Sequence, residues 1–391
     1  MKTLNDTILP PLVRGLFLET LEKPVMVSPA NGMTKASVVL ELSTASVGKD
    51  GLLDEEAAAA ELKGKFKTIP RSLMGALPVR IDLILGAERL CLEASGFGAA
   101  SAENDQKAAA SSALGRASVV AGKIALVTGG AQGFGAEIVR GLAASGAFVY
   151  IADLNIAGAV SLAEELNAAA KSAIASPIAV NVTEEASVAA MFEAIAAMTG
   201  GLDLIVSNAG VLKASSVLDQ DEKSFRFVTD VNYTGFFFMA KHGGRLMRRQ
   251  WRTAPGWMTD IVQINSKSGL QGSNKNGAYA GSKFGSIGLV QSFALEFVQY
   301  GIKVNAICPG NFFDGPLWSD PKNGLFVQYL ESGKVPGAKT IADVKAWYEA
   351  KVPMGRGATG ADVMRAIYYL VEQEYETGQA LPVTGGQVML N

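Results

Sequence analysis

The chain has 391 residues, of which 49% are hydrophobic and 18% charged, so it can bury a large core in one large domain or two unequal ones. Its formal net charge of −2 argues against a nucleic-acid-binding surface, and no apolar run reaches the length that crosses a membrane. The two cysteines, Cys91 and Cys308, are too few for a disulfide framework and suit a reducing cytoplasm. With His242 as its single histidine, the chain is not expected to hold a metal.

Residues 1–98 form an N-terminal extension without a catalytic motif. Its candidate elements are helical stretches over Leu4–Leu21 that Pro10-Pro11 interrupts, a strand over Ala36–Leu42, an Ala- and Glu-rich helix over Asp54–Lys63, and a segment over Val79–Glu93 that fits strand or helix. We expect the extension to pack on the main domain or on a partner subunit, and a divergent fused enzyme domain is the alternative. Residues 99–121, rich in Ala and Ser, are interpreted as a linker.

From Lys123 onward, apolar runs of strand length alternate with helical patterns. The expected strands are 123–128, 149–152, 178–182, 202–207, 260–265, 302–307 and 380–383, and the expected helices are 136–144, 157–170, 184–198, part of 224–249, 278–300 and 362–371. Strands that alternate with helices indicate a parallel sheet covered on both faces. We therefore predict an α/β fold, a doubly wound parallel sheet of the Rossmann type over residues 122–391, with the smaller extension before it.

A glycine-rich turn, Thr128-Gly-Gly-Ala-Gln-Gly-Phe-Gly135, joins the first of these strands to the following helix. Gly129 allows the tight turn, Gly133 lets the backbone approach a pyrophosphate, and Gly135 lets the helix pack close to the strand. The helix N-terminus then offers free N–H groups and the positive end of its dipole to phosphate. The turn therefore predicts a dinucleotide-binding loop, and a purely structural turn is the alternative.

Asp153 ends the second strand of this unit, 24 residues beyond Gly129. A carboxylate there can accept both hydroxyls of the adenosine ribose and would repel a 2′-phosphate. No lysine or arginine lies in the glycine loop to offset that repulsion. The sequence therefore predicts NAD as the cofactor rather than NADP. A helix-capping role for Asp153 is compatible with this interpretation.

Tyr279 and Lys283 are four residues apart and share one face of a helix. A free tyrosine has a pKa of about 10, too high for a base at neutral pH. An ammonium a few ångströms away, at an effective dielectric of about 20, would favour the phenolate by roughly 3–4 kcal/mol and lower its pKa by about 2–3. The pair therefore predicts a tyrosine general base; taken alone, it would also fit a solvated helix face.

Ser266 lies 13 residues before Tyr279, directly after a predicted strand. Its hydroxyl can donate a hydrogen bond to a substrate oxygen and stabilise the charge that builds there. A Ser–Lys hydrolase that uses Ser266 and Lys283 is formally possible. It would leave the dinucleotide features without a role.

Six motifs in this order and spacing resemble the classical short-chain dehydrogenase/reductases: the glycine loop, Asn208-Ala-Gly210, Asn232, Ser266, Tyr279-Ala-Gly-Ser-Lys283 and Pro309-Gly310. The resemblance covers Gly122 to the C-terminal end. It implies Asn232, Ser266, Tyr279 and Lys283 as catalytic residues, with Asn232 holding a water beside the lysine, and it selects Ser266 over Ser268. It also implies a homo-oligomer, dimer or tetramer, that associates through the long helices and the last strand.

The cofactor residues that we expect, from the residues and from the resemblance together, are Thr128, Gly129, Gln132, Gly133, Phe134, Gly135, Asp153, Leu154, Asn181, Val182, Asn208, Ala209, Gly210, Tyr279, Lys283, Pro309, Gly310 and Phe312. Two positions depart from the family pattern. Asn181 replaces the usual aspartate beside the adenine, and Asp314 stands where a threonine often lies near the nicotinamide amide.

Residues 311–360 form a long, glycine-rich segment with a helical piece over Ile341–Lys351, which we predict to be a substrate lid. Its first part, up to Trp318, resembles sugar-alcohol dehydrogenases of the sorbitol-6-phosphate 2-dehydrogenase type, which implies a polyol or polyol phosphate as substrate. Trp318 and Phe312–Phe313 are expected to pack within the lid rather than to stack on a ligand.

Cations near the expected active-site mouth would suit a phosphorylated or acidic substrate. The polar residues that flank the mouth are Lys213, Lys267, Asn274 and Lys275, and for each lysine a solvated surface position is the alternative. Two other functions also stay open: the same chemistry on a 3-oxoacyl thioester, and a non-catalytic NAD-sensing or scaffold role.

Overall fold

The computed structural model describes residues 4–5, 7–22, 24–30, 38–50, 52–70, 73, 77–95, 115–322, 324–331, 333 and 335–389. Up to residue 95 the elements are the helices α1 (Leu9–Leu21) and α2 (Glu55–Phe66) and the strands β1 (Met26–Pro29), β2 (Val38–Glu41), β3 (Val79–Leu85) and β4 (Glu88–Ser95). The strands form one sheet in the order β1-β4-β3-β2, in which β2 and β3 are parallel and the other neighbours antiparallel. This sheet and its helices enclose a separate apolar core.

One expectation for the N-terminal part is wrong, and one that was left open there is resolved. Pro10-Pro11 does not interrupt a helix, because both prolines lie in the first turn of α1, where the missing N–H has no intrahelical partner. The segment that fitted strand or helix is a hairpin of β3 and β4, turned at Gly86 with a φ of +59°. Of the linker that the composition indicated, residues 99–114 lie outside the described residues, and Gly115–Val120 is a short 3₁₀ helix.

From residue 124 onward, seven strands form a second sheet. They are β5 (Ile124–Thr128), β6 (Phe148–Asp153), β7 (Ala175–Ala179), β8 (Leu204–Ser207), β9 (Thr259–Ile264), β10 (Ile302–Pro309) and β11 (Ala380–Val383). Their order is β11-β10-β9-β8-β5-β6-β7, and all neighbours are parallel. The predicted doubly wound sheet is confirmed.

Helices cover both faces of this sheet. The helices after β5 are α3 (Gly133–Ala144), α4 (Ile156–Ala170), α5 (Glu185–Thr199), α6 (Glu222–Thr229), α7 (Gly235–Trp251), α8 (Gly277–Phe297), α9 (Pro316–Ser319), α10 (Leu325–Glu331), α11 (Ile341–Glu349) and α12 (Gly360–Glu372), of which α9, α10 and α11 belong to the segment 311–360. One apolar core lies between the sheet and α3, α4 and α12, and another between the sheet and α5, α7 and α8. The burial of central strands on both faces follows from these two layers.

The third strand of the large sheet begins and ends earlier than predicted, at Ala175–Ala179 instead of 178–182. It includes Pro177, which is tolerated because β7 is an edge strand. The chain then leaves the sheet at Asn181, whose Oδ1 accepts hydrogen bonds from Thr183 N (3.1 Å) and Thr183 Oγ1 (2.8 Å). Such a side-chain turn competes with strand pairing.

The N-terminal part packs against the edge of the large sheet at which the strands begin. Arg14 of α1 is fully buried there and donates to Asp203 Oδ2 at 2.8 Å, to Gln250 Oε1 at 2.5 Å and to Val25 O at 2.7 Å. Asp203 directly precedes β8 and is also fully buried. The glycine loop lies at the opposite edge of the same sheet, where β5 ends.

Candidate active site

The glycine loop has the backbone shape that its sequence predicts. Gly129 and Gly133 have φ values of +62° and +58°, in the left-handed region that favours glycine. A Cβ on Gly135 would collide with the Gly129 carbonyl oxygen, so α3 approaches the loop as only glycine allows. The N-cap residue, Gln132, makes no side-chain cap, and the first turn of α3 has no acidic residue. The loop and helix therefore present N–H groups that fit a pyrophosphate.

Thr128 and Asn208 support the glycine loop through hydrogen bonds. The buried Thr128 hydroxyl accepts hydrogen bonds from the backbone N of Asn208 and of Ala209, both at 3.0 Å. Asn208 Nδ2 donates to Thr128 O at 2.9 Å and to Gly129 O at 3.2 Å. These hydrogen bonds join the ends of β5 and β8, so both side chains help to fix the conformation of the glycine loop.

Asp153 lies beside the loop at the end of β6. Its Oδ2 accepts a hydrogen bond from Ala131 N at 3.0 Å, and its Oδ1 accepts one from Asn155 N at 2.8 Å. The next residue, Leu154, is 75% exposed. The carboxylate is thus fixed next to an exposed apolar side chain, an arrangement that fits an adenosine group.

Asn181 and Val182 follow β7 at the same edge of the sheet. The amide nitrogen Nδ2 of Asn181 donates to Glu184 Oε1 at 2.8 Å, while its oxygen is used in the local turn before α5. Val182 is buried against Gly235. In this structure both polar atoms of Asn181 are engaged within its own turn.

Three of the predicted catalytic side chains converge after β9. Ser266 follows this strand, and its side chain is hydrogen-bonded to that of Tyr279, which lies in the first turn of α8. The ammonium of Lys283 lies 5.7 Å from the centre of the Tyr279 ring and donates to Ile264 O at 2.9 Å. The hydroxyl, the phenol and the ammonium that the sequence predicts are therefore brought together.

Asn232 lies in a π-helical segment, Asp230–Thr234, between α6 and α7. Its side chain is held by Val211, whose N donates to Oδ1 at 2.8 Å and whose O accepts from Nδ2 at 2.9 Å. Gly210 lies between it and the lysine: a Cβ at Gly210 would be 3.3 Å from Asn232 Oδ1 and 3.6 Å from Lys283 Nζ. Asn232 therefore lies next to the cluster formed by Ser266, Tyr279 and Lys283.

Supporting residues that the sequence analysis did not single out hold this group in position. Asn265 accepts from Ser266 N at 2.8 Å and donates to Lys283 O at 3.0 Å, so it ties the serine loop to α8. Ser282 Oγ accepts from Asn232 Nδ2 at 3.1 Å, and Ser286 Oγ donates to Asn232 O at 3.2 Å. The sequence signal that could have identified them is their spacing: Asn265 and Ser282 are adjacent to Ser266 and Lys283, and Ser286 lies about one helical turn after Lys283.

Burial changes the expected ionisation of Tyr279 and Lys283. It raises the pKa of Tyr279, against which the hydrogen bond from Ser266 acts, and it lowers the pKa of Lys283 to about 8. The expectation that Lys283 alone brings Tyr279 near working pH is therefore not met in this structure. The reason is that a lysine with a pKa of about 8 has lost its charge at the alkaline pH where a buried phenol would ionise.

The segment 311–360 has a small apolar core of its own. Phe313 and Trp318 are buried in it, in contact with Phe326, as predicted from the sequence. Asp314, which stands at the family's threonine position, points outward and pairs with Lys345 Nζ at 2.8 Å. Its carboxylate therefore ties the start of the segment to α11.

Phe312 reaches from this segment to the glycine loop. Its ring stacks on that of Phe134 with centroids 4.2 Å apart and an interplanar angle of 14°. Pro309 ends β10, and Gly310 N donates to Val383 O at 2.9 Å, which fixes the base of the segment on β11. Phe312 thus packs on the glycine loop rather than within the core around Trp318.

A cleft of about 480 Å³ opens between the chain after Gly210 and the segment 311–360. It is lined by polar groups from Lys213, Ser215, Gln220, Asp221 and Ser224 and by apolar groups from Leu317 and Leu325. Of the four residues predicted to flank the active-site mouth, Lys213 lines this cleft. Lys213, Asn274 and Lys275 are exposed, and Lys267 is half-buried.

No helix in the described part of the chain combines the length and hydropathy needed to cross a bilayer. The same residues contain no group of three or more side chains arranged to hold a metal ion.

Comparisons with known proteins agree with this geometry. A family model described as short chain dehydrogenase matches residues 123–318, so the extension lies outside it. Sorbitol-6-phosphate 2-dehydrogenase of Escherichia coli is 36% identical over 270 residues, which are 68% of this chain and 99% of that protein. Galactitol 2-dehydrogenase of Agrobacterium fabrum is 34% identical over 68% of this chain and 98% of its own length. The crystal structure of sorbitol-6-phosphate 2-dehydrogenase from Erwinia amylovora superposes with a TM-score of 0.62 at 37% identity, covering 68% of this chain and all of that one.

Proposed function

Since the chain belongs to the short-chain dehydrogenase family and is thus an oxidoreductase that acts on CH–OH groups, we propose that it oxidises a secondary alcohol of a polyol or polyol phosphate with NAD. The observation that carries this proposal is the convergence of Ser266, Tyr279 and Lys283 after β9, on the edge of the sheet that also bears the glycine loop.

NAD rather than NADP is supported by Asp153. Its carboxylate is fixed beside the glycine loop by Ala131 N and Asn155 N, where a 2′-phosphate would meet a negative charge. The loop itself offers no lysine or arginine as a counter-charge. We propose that the loop and the N-terminus of α3 hold the pyrophosphate, and that Asp153 holds the adenosine ribose.

In the proposed mechanism Tyr279 takes the proton from the alcohol oxygen. Ser266 donates a hydrogen bond to that oxygen and to the carbonyl oxygen that it becomes. At neutral pH Lys283 keeps its charge, because its pKa of about 8 lies above that pH. This charge, together with the positive ring of bound NAD⁺, would favour the phenolate of Tyr279 that burial disfavours. Bound NAD⁺ would supply the acceptor for the hydrogen that leaves the alcohol carbon. Asn232 would hold a water through which Lys283 exchanges protons with solvent.

The polyol is supported by the relatives, whose names describe sorbitol 6-phosphate and galactitol dehydrogenases. The cleft after Gly210 has a matching character, since six of its ten lining residues are polar. Gln220 Nε2 is buried and finds no hydrogen-bond acceptor in the described part of the chain, so it has a donor to offer to a hydroxyl-rich ligand.

The test is the formation of NADH or NADPH from a panel of polyols, polyol phosphates and 3-hydroxyacyl thioesters. We expect turnover with at least one polyol or polyol phosphate, and a kcat/KM with NAD⁺ about 10-fold or more above that with NADP⁺, the size of one unfavourable charge contact. Turnover of thioesters alone would replace the proposed substrate class. Tight NAD⁺ binding without any turnover would favour the sensing or scaffold role, and a preference for NADP⁺ would refute the role of Asp153.

We also propose that the chain forms a homo-oligomer through α6, α7 and α8. Large apolar side chains on these helices and the turn after α8 are exposed, namely Phe225, Phe227, Phe237, Phe284, Leu295 and Val298. Such a concentration of exposed apolar side chains marks a contact surface.

The substitution Phe284→Glu is expected to weaken the association about 10-fold or more, because a two-fold interface would bury the new charge twice. Sedimentation over a concentration series measures this change. Val39→Glu, at an exposed position on β2, is the matched control and should leave the assembly intact. A wild-type chain that sediments as a monomer, or a Phe284→Glu chain that assembles like wild type, would contradict the proposal.

A further inference from the structure

The C-terminal turn, residues 384–388, follows β11 and is closed by its own hydrogen bonds. Thr384 Oγ1 donates to Val388 O at 3.2 Å, and Gln387 N donates to Thr384 O at 3.2 Å. Thr384 is also buried, so the turn is anchored where the last strand ends. The side chain of Gln387 therefore extends from a hydrogen-bonded turn.

Gln387 contacts the first end of the segment 311–360. Its Oε1 accepts a hydrogen bond from Asn311 N at 3.4 Å. A Cβ on Gly310 would lie 2.8 Å from the same oxygen, so the lack of a side chain at Gly310 makes this approach possible. Asn311 O in turn accepts from Ala358 N at 2.8 Å, which joins the two ends of the segment. One side-chain oxygen thus lies against the peptide at which the segment leaves the large sheet.

The same turn also contacts the chain near the other end of the segment. Gly385 O accepts a hydrogen bond from Met354 N at 3.1 Å. A Cβ on Gly385 would meet Val352 Cγ1 at 2.9 Å, and Val352 is buried in the apolar core of the segment. The C-terminal turn therefore holds the segment near its beginning and near its end.

The residues between these two ends shape the cleft. Leu317 and Leu325 of the segment line it, together with the chain after Gly210. Phe312 connects the start of the segment to the glycine loop by stacking on Phe134. Because Phe312 directly follows Asn311, the position of that first peptide affects the cleft and the glycine loop together.

We propose that Gln387 is a positioning residue, whose side chain fixes the first end of the segment 311–360 where the segment can close over substrate. This inference rests on the proposed function, since it assigns the cleft to the alcohol. Gln387 acts through the peptide of Asn311 and does not touch the reacting atoms. Without its oxygen, the segment would populate the binding-competent position less often, which weakens apparent substrate binding. Proton transfer at Tyr279 would be unaffected once substrate is bound.

The experiment compares Gln387→Leu with Gln387→Glu by steady-state kinetics. Leucine removes the acceptor, whereas glutamate keeps an oxygen in the same place. Gln387→Leu is expected to raise the KM for the preferred alcohol by about 3- to 10-fold, the effect of one neutral hydrogen bond. Its kcat should stay within about two-fold of wild type, as should both constants of Gln387→Glu. Met389→Ala, at an exposed position two residues further on, is the matched control and should behave as wild type.

Hydrogen–deuterium exchange tests the contact without turnover. In Gln387→Leu the amides of Asn311 and Ala358 should exchange about 3- to 10-fold faster, while the strands of the large sheet keep their wild-type rates. A general loss of folded enzyme would instead lower kcat and leave KM unchanged.

The inference is overturned if either KM or the exchange at Asn311 stays at its wild-type value in Gln387→Leu. It is equally overturned if Gln387→Glu is impaired as much as Gln387→Leu, or if kcat falls while KM does not change. Failure of the wild-type enzyme to oxidise any alcohol would refute the proposed function instead. The exchange at Asn311 would then decide alone whether Gln387 holds the segment.

Discussion

Replacement of Tyr279 by phenylalanine is expected to lower kcat by about 10²- to 10⁴-fold, the usual contribution of a general acid or base. The ring and its packing stay, but the atom that accepts the alcohol proton is gone, together with the hydrogen bond to Ser266. Lys283 cannot substitute for it, because its ammonium donates to Ile264 O and holds its proton at neutral pH. Steady-state kinetics with the preferred polyol substrate measures the loss.

The binding of NADH separates a catalytic from a structural effect of this substitution. Fluorescence titration should give a dissociation constant within a few-fold of wild type, because the glycine loop and Asp153 are untouched. Tyr375→Phe, at a fully exposed tyrosine, is the matched control and should keep wild-type rates. If Tyr279→Phe kept more than a tenth of wild-type kcat, the assignment of the base would be wrong.

Replacement of Arg14 by methionine is expected to reduce the free energy of unfolding by about 3–5 kcal/mol, as is usual when one partner of a buried ion pair is removed. Asp203 would then be a fully buried carboxylate without its ion-pair partner. Its remaining partners, Ile124 N at 2.8 Å and Trp257 Nε1 at 2.9 Å, are neutral. Gln250 would also lose the donor to its Oε1. Urea denaturation measures the change.

A second substitution tests this account of the buried charge. Asp203→Asn in the Arg14→Met background should recover part of the lost stability, because it removes the uncompensated charge, and a double-mutant cycle gives the coupling energy. Arg226→Met, which breaks an exposed pair with Glu222, is the control and should cost at most about 1 kcal/mol. An Arg14→Met chain as stable as this control would show that the extension does not depend on the pair.

The large sheet and its glycine loop could be predicted from the sequence because their signals are local. Buried parallel strands such as β5 give continuous apolar runs, and the conformations of Gly129 and Gly133 follow from a turn of eight residues. The N-terminal sheet gave no such signal: β2 and β3 pair in parallel although 37 residues separate Glu41 from Val79. Pairing over that distance depends on tertiary packing, which no local pattern encodes.

The candidate site shows the same limit. The spacing of Tyr279 and Lys283 on one helix predicts their proximity, and the structure brings them together. The stacking of Phe312 on Phe134 joins residues 178 apart and depends on how the segment 311–360 folds back. Likewise, the raised pKa of Tyr279 could not follow from a pairwise charge estimate, because burial opposes the phenolate and weakens the charge of Lys283 at the same time.

The buried contact between Arg14 and Asp203 also bears on how this protein can change over evolutionary time. The two relatives align over 98–99% of their length with about two thirds of this chain, so enzymes of this family exist without such an extension. Here, however, deletion of the extension would expose an apolar surface and remove the cation that pairs with Asp203. Loss of the extension would therefore require compensating changes at Asp203 and its neighbours. The extension is therefore entrenched, retained by the architecture of the catalytic domain irrespective of any function that first favoured it.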